Sequence, residues 1–299
     1  MPFFLLLIIY IIVFLTSKHD KMLDKIKRLT LKALMHDEQL MYGLVLKGGN
    51  ALQLVYKITD RASMDIDFSI EGDFSELDFQ RIYGILDSLL NEQFQAEKLI
   101  AFDIKFVEKP KTNKEKIWKG YNIEFKVTHE KDWYADDIDR TRRNAIKILD
   151  QSTRFSVDIS SFEYIVNAKK VDLDGTVLFV YTPEMIVLEK LRALCQSIPE
   201  YKGIIPSANI KGRARDFYDI WNICEQYPID FTSQENVILL HEIFNAKKVP
   251  INFLELLLQY KDLQKENWNS VEDTLSSQNK GFDFYFDYTM TLVEKIKNL

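Results

Sequence analysis

The sequence predicts an α+β fold in two parts, a sheet-bearing first half followed by an α-helical second half. Three observations predict it. Stretches with strand character recur up to residue 181, and beyond Thr182 the patterned stretches have helical spacing. At that change Thr182-Pro183-Glu184 is a strong helix start, with an N-cap residue, a proline at the first helical position and an acid near the positive helix end. The 299 residues are 46% apolar and 28% charged with few Gly and Pro, which excludes disordered, collagen-like and low-complexity chains. That length suits one large or two modest domains. We expect them over 22–181 and 182–299, with 1–21 set apart as an apolar extension.

The extension holds FFLLLIIYIIVFL, thirteen consecutive apolar residues from Phe3 to Leu15. Roughly 20 are needed to span a bilayer, and the basic leader and cleavage site of a signal peptide are missing. A short anchor, a buried segment and an upstream extension ahead of a start near Met22 are all compatible with it. The sharp change to SKHDKMLDKIKRLTLKAL favours the last, so a membrane role is not expected outside this stretch.

Leucine and isoleucine at helical spacing predict a helix from Met22 to His36. YGLVLK (Tyr42–Lys47) reads as a short buried strand, and Asn50–Ile58 as a helix. Met64–Ile70 alternates with period two and is a strand. A long amphipathic helix follows from Ser75, its N-cap, to about Phe94. IAFDIKFVEK and YNIEFKVTHE form a hairpin around the lysine-rich PKTNKEKIWKG. Asp136–Asp150 is expected to be helical, Arg154–Ile159 a strand, and KKVDL with TVLFVY a closing pair. The second half opens with the Thr182 helix, a loop SIPEYKGIIPSANIKG and the helix RARDFYDIWNICEQ.

A net charge of −6 and a pI near 5.4 give no global attraction for nucleic acid, so any such contact needs local basic patches. Two cysteines, Cys195 and Cys224, supply neither a metal cluster nor a disulfide framework. As buried free thiols they fit a reducing cytoplasm, the expected location.

The chemistry concentrates in KGGNALQLVYKITDRASMDIDFS, residues 47–69. Gly48-Gly49 lies between a strand and a helix, where glycine lets a phosphate approach the backbone amides and the helix start adds free N–H groups. Alone, a Gly-Gly pair is as well a tight turn. Asp65 and Asp67 are two residues apart on the next strand, so they share a face, with α-carbons roughly 6–7 Å apart. Carboxylates so placed can converge on a divalent metal, although an exposed strand face would carry the same pattern. Asp158 could add a third carboxylate from a neighbouring strand.

Strand, Gly-Gly, helix, Asp-x-Asp and a later strand aspartate together resemble the layout of polymerase-β-like nucleotidyltransferases. GGNAL…DRASMDIDF resembles most the GGTAL…RxSxDIDF signature of the AbiEii/AbiGii-type toxin nucleotidyltransferases. PEMIVLEKLRAL and RARDFYDIW resemble that family's lysine-bearing helix and its RDxxD helix. These ordered motifs run from about residue 40 to 225. The resemblance implies a nucleotidyltransferase domain with a mixed sheet flanked by helices, and a helical domain that completes the active-site cleft. It also implies Mg²⁺ (or Mn²⁺), a nucleoside triphosphate and a cognate antitoxin, and some members act on tRNA 3′ ends. Asn50 stands where Ser or Thr is usual; its amide can still donate to a phosphate.

In that frame Asp65, Asp67 and Asp158 hold the metal, and Gly48, Gly49 and Asn50 cradle phosphates. Ser63 shares the strand face of Asp65, or is only a turn residue. Lys190 reaches the cleft as a phosphate-binding point charge, or pairs on the surface with Glu184 or Glu189. Asp216 lies beside the apolar stripe of Phe217, Ile220, Trp221 and Cys224 and would pair Lys190 or Arg192 or bind the nucleotide; Arg192 is a further phosphate ligand. Asp219 lies further round and would cap the helix or pair with Arg215. Basic clusters at Lys109–Lys119 and at Arg140, Arg142 and Arg143 are RNA-backbone contacts or solvated faces. The function expected is NTP-dependent transfer to tRNA or another RNA by a toxin. Transfer to a protein hydroxyl and nucleotide binding without turnover are the alternatives.

Overall fold

Period-two alternation builds a sheet with one greasy face and one chemical face. The computed structural model describes residues 21–59, 65–110, 119–148, 152–275 and 279–299. Its strands are β1 (Val45–Lys47), β2 (Ile66–Ser69), β3 (Leu99–Lys109), β4 (Gly120–His129), β5 (Phe155–Ser160), β6 (Lys169–Leu173) and β7 (Thr176–Val180). Among the described residues they form one seven-stranded mixed sheet in the order β3-β4-β5-β2-β1-β7-β6. β2 runs antiparallel to β1 and parallel to β5. Leu46, Phe68, Ile159 and Tyr121 therefore line up across four strands and are all buried in the core. One residue on, Lys47, Asp67, Asp158 and Asn122 line up on the opposite face. A strand reverses its facing at every residue, so the apolar row fixes where the polar row points.

Helices cover the apolar surfaces. Helix α1 spans 21–36, and α2 (Glu38–Gly43) follows it, capped by Asp37, whose Oδ1 accepts from the Leu40 amide at 2.9 Å. This cap extends helix through Tyr42, so the first strand begins at Val45 rather than at Tyr42. After β1 comes α3 (Gly48–Asn50), prolonged by a wider π-turn over Ala51–Val55. α4 (Glu76–Gln95) starts at Ser75 in a reciprocal capping box with Asp78 and buries Ile82, Leu86, Leu90 and Phe94.

The helix expected over 136–150 is shorter: α5 covers Ile138–Arg143. The chain then returns to the sheet, with the Ile146 amide donating to Val127 O at 2.7 Å. Its apolar residues serve that return and not a longer helical face. Residues 1–20, the tip of the β3–β4 hairpin at 111–118, and Ser63 lie outside the described residues.

Past β7 the chain is helical. α6 (Pro183–Gln196) is capped by Thr182 and packs on α7 (Ala214–Gln226) and α8 (Gln234–Ala246). Phe217 of α7 packs on Phe282 and Phe286 of α9 (Phe282–Ile296), with ring centroids 5.5 and 5.3 Å apart.

α7 has no cap of its own, because Arg213 supplies no acceptor. The short segments near the C-terminus provide it: Gln264 Oε1 accepts from the Arg213 amide at 2.9 Å, and Asn267 Oδ1 from the Ala214 amide at 3.1 Å. Gly212 sits so close to the Leu263 carbonyl that a β-carbon there would overlap it. Cys195 is buried, Cys224 partly so, and neither is in a disulfide. Among the described residues no helix is long and apolar enough to cross a membrane.

Candidate active site

Gly48 explains the diglycine. It has φ +64°, a conformation that costs an L-residue energy, and a β-carbon on it would lie 2.9 Å from Asp67 Oδ2. The register Lys47↔Asp67 causes this approach: where β1 ends, the chain bends over the carboxylate of the adjacent strand. The bend that would present amides to a phosphate thus abuts the second aspartate of Asp-x-Asp. Asn50 is fully buried, and its Nδ2 donates to Asp65 O at 2.5 Å, tying the helix to the start of β2.

Asp67 and Asp158 are register partners on parallel strands, about 5 Å apart at the backbone. Asp65 is exposed one residue before β2. Burial pushes the Asp67 carboxyl up to about 7, and repulsion from Asp158, Glu189 and Asp65 adds to this while Lys47 opposes it. Although Asp65 is exposed, partial desolvation of its carboxyl against the cleft, then repulsion from Asp158, raises it as well. Asp158 Oδ1 accepts from Asn122 Nδ2 at 2.8 Å and from Lys109 Nζ at 3.1 Å.

Among the described residues no three His, Cys, Asp or Glu side chains already enclose a metal. Mg²⁺ does not require such a cage, since it commonly takes one or two carboxylates with substrate phosphates and water. Hard oxygen donors that repel one another beside a glycine bend fit that ion.

The row opens into a cleft of about 1070 Å³ lined by both halves of the chain. Among the described residues that line it, six side chains are cationic: Lys47, Lys109, Lys119, Arg192, Arg213 and Lys247. Four are anionic: Asp67, Asp158, Glu163 and Glu189. The surplus is positive in a protein that is acidic overall, and a polyphosphate would find it favourable.

Glu163 is the hub of this wall. Its carboxylate meets Arg192 at 2.8 Å, Lys47 at 3.4 Å and Lys247 at 3.5 Å, with all four side chains largely buried. Burial alone would raise its pKa, but Arg192, Lys47 and Lys247 together hold it down to about 2. Lys247 is itself lowered to about 8, chiefly by burial. Arg192 also reaches Glu189 at 3.1 Å.

Lys190 is buried beneath this wall. Its Nζ donates to Asp216 at 2.8 Å and to Asp219 at 2.7 Å, and neither it nor Asp216 is part of the cleft lining. Burial disfavours its charge, yet the two carboxylates more than restore it. Asp219 thus faces inward onto Lys190, because the packing of α7 on α6 turns that side of the helix to the lysine. Arg213 bridges outward, with Nε on Asp216 Oδ2 at 2.5 Å while its side chain lines the cleft.

Of the basic clusters, Lys109 and Lys119 enter the cleft. Arg142 is held by Asp103 and Asp139, and Arg140 lies over the Tyr134 ring at 3.8 Å. Sequence reasoning does not single out Lys47, Asn122, Glu163 or Lys247, and it offers Glu189 only as a surface partner of Lys190, whereas Glu189 meets Lys47 and Arg192. Only Lys47 carried a local sign, a lysine closing an apolar strand directly before the glycines.

A model of the family described as nucleotidyl transferase AbiEii toxin, type IV toxin–antitoxin system, matches residues 30–288. No curated protein matches the sequence. Among solved structures the chain is similar to JHP933 from Helicobacter pylori, at 16% identity and a TM-score of 0.48, covering 92% of this chain and 90% of that one. It is also similar to an antigenic nucleotidyltransferase-like protein from Paracoccidioides brasiliensis, at 15% identity and a TM-score of 0.33, covering 77% and 91%. The family match spans most of the chain and takes in the glycine bend, the aspartates, Lys190 and Asp216, so the protein belongs to the AbiEii nucleotidyl transferase toxin family and is a nucleotidyltransferase.

Proposed function

We propose that the protein transfers a nucleotidyl group from a nucleoside triphosphate to an RNA hydroxyl, with tRNA as the leading acceptor, as a toxin restrained by a cognate antitoxin. The observation that carries this reading is the close approach of Gly48 to Asp67, which sets the glycine bend against a carboxylate. Asp65, Asp67 and Asp158 would hold Mg²⁺ or Mn²⁺. When bound, the ion supplies charge neutralisation on the phosphates and on the attacking oxygen.

The residues divide the remaining work. The amides of Gly48 and Gly49 would cradle the phosphate tail, with Asn50 fixing the bend from below. Ser63, by its resemblance to the family serine, is assigned to the same tail. Arg192 and Arg213 offer charge to phosphates across the cleft. Lys190 and Asp216 act through Arg213, holding it toward the ligand; this is a positioning role.

In the reaction an acceptor hydroxyl oxygen bonds to the α-phosphorus as the α–β bridging P–O bond breaks. Pyrophosphate leaves with that electron pair, and Asp158 would take up the hydroxyl proton. The local cations Lys109 and Lys119 are the contacts offered to an acceptor backbone.

Radiolabelled NTPs with total RNA, cell protein and Mg²⁺ test the reading. Label on RNA is expected. Label on protein alone would replace the acceptor, and binding of NTP without transfer to either would overturn the reaction.

A further inference from the structure

Asn122 is an awkward residue for its place. It sits inside β4, fully buried, on the sheet face that also carries Glu124 and Lys126, behind the apolar row of Tyr121, Ile123, Phe125 and Val127. Asparagine is a poor strand former, and burying an amide demands partners. Its Nδ2 finds them on one side, within 2.8 Å of Asp158 Oδ1, 2.7 Å of Ser156 Oγ and 3.2 Å of Val157 O. Its Oδ1 is buried and has no donor among the described residues. A β-branched apolar residue would suit the strand better on packing grounds alone, so the amide needs another reason.

The register supplies it. Asn122 and Asp158 are directly opposed on antiparallel strands, and Asp158 is directly opposed to Asp67 on the other side. Asn122 and Lys109 both donate to Oδ1 of Asp158. Oδ2 is the oxygen left for a cation, with no donor among the described residues bonded to it.

Lys109 is half exposed and can swing away, whereas Asn122 is walled in by the sheet. We propose that Asn122 is a positioning residue that clamps Oδ1 of Asp158 and so presents Oδ2 to a divalent cation shared with Asp67. This rests on the reading of Asp158 as a metal ligand. Partners that orient a ligating carboxylate commonly matter 10–100-fold for metal affinity.

The test is direct Mn²⁺ titration followed by electron paramagnetic resonance, on the full chain without nucleotide, for wild type, Asn122→Ser, Asn122→Ala, Ser156→Ala and Asp158→Asn. The serine is too short to reach the carboxylate but keeps a polar group in the strand, so at least one clamp variant is expected to fold, as circular dichroism will report. Both Asn122 variants are expected to weaken Mn²⁺ about 10–100-fold, while the KM for NTP at saturating Mn²⁺ changes by less than about threefold. Ser156→Ala, which removes another partner of the same amide, is expected to leave Mn²⁺ affinity unchanged. Folded Asn122 variants with wild-type Mn²⁺ affinity, beside a weakened Asp158→Asn, would overturn the clamp and spare the metal site. Unchanged affinity in Asp158→Asn would overturn the reading beneath it.

Discussion

Asp67→Asn is expected to lower nucleotidyl transfer by at least about 10²–10³-fold, the usual cost of removing one preorganised electrostatic group from a reacting centre. The fold is expected to survive. Asp67 is half-buried in a row with Lys47 and Asp158, and desolvation together with neighbouring carboxylates pushes its carboxyl up to about 7. A neutral isostere therefore removes a charge that the folded state tolerates poorly when no metal is bound. Thermal unfolding without metal should show a midpoint equal to or above that of wild type. Incorporation of labelled nucleotide at saturating Mg²⁺ gives the rate. A folded Asp67→Asn protein with more than about a tenth of wild-type activity would remove Asp67 from the reaction.

The largest effect on stability is expected at Glu163. Its carboxylate stands among Arg192, Lys47 and Lys247, which tie β1, α6 and the end of α8 to the segment after β5. Glu163→Gln removes the carboxylate that the three cations share and leaves Lys47 and Arg192 beside Glu189. Breaking a buried ion cluster on one side costs about 3–5 kcal/mol, and urea unfolding at neutral pH measures it.

The pH dependence has a definite sign. The folded-state pKa of Glu163 lies at about 2, below its ordinary 4.5. Its contribution is therefore fully present above pH 4.5 and is lost as pH falls toward 2. The stability difference between wild type and Glu163→Gln should shrink as pH falls below about 4.5. A difference below about 1 kcal/mol at pH 7 would show that the cluster does not hold the cleft wall.

Much of this site was legible because its signals are local. Gly-Gly at the end of an apolar strand, and Asp-x-Asp with period two, each need only neighbouring residues to be recognised. The side chain of Asp158 could be placed on a strand face in the same way, since FSVDIS alternates without interruption. The cleft's charge wall could not be read so. Lys47 meets a glutamate 116 residues away, and Lys247 reaches Ser161 O from the end of α8. No spacing rule links residues that far apart; only the topology brings them together.

Helix α7 shows a second limit. The angle from the apolar stripe places Asp219 away from the core, yet Lys190 on α6 draws it inward. A buried lysine needs compensation, and the partner helix decides which carboxylates give it. The caps from Gln264 and Asn267 are of the same kind, because a helix start without its own acceptor can borrow one from any segment folded against it.

The most direct measurement is the position of Mn²⁺ and a non-hydrolysable nucleoside triphosphate in crystals of the protein, located by the anomalous signal of the metal. The expected result is Mn²⁺ on carboxylate oxygens of Asp67 and Asp158, with the phosphate tail against the Gly48–Gly49 bend. Mn²⁺ bound elsewhere, or a triphosphate seated away from that bend, would contradict it.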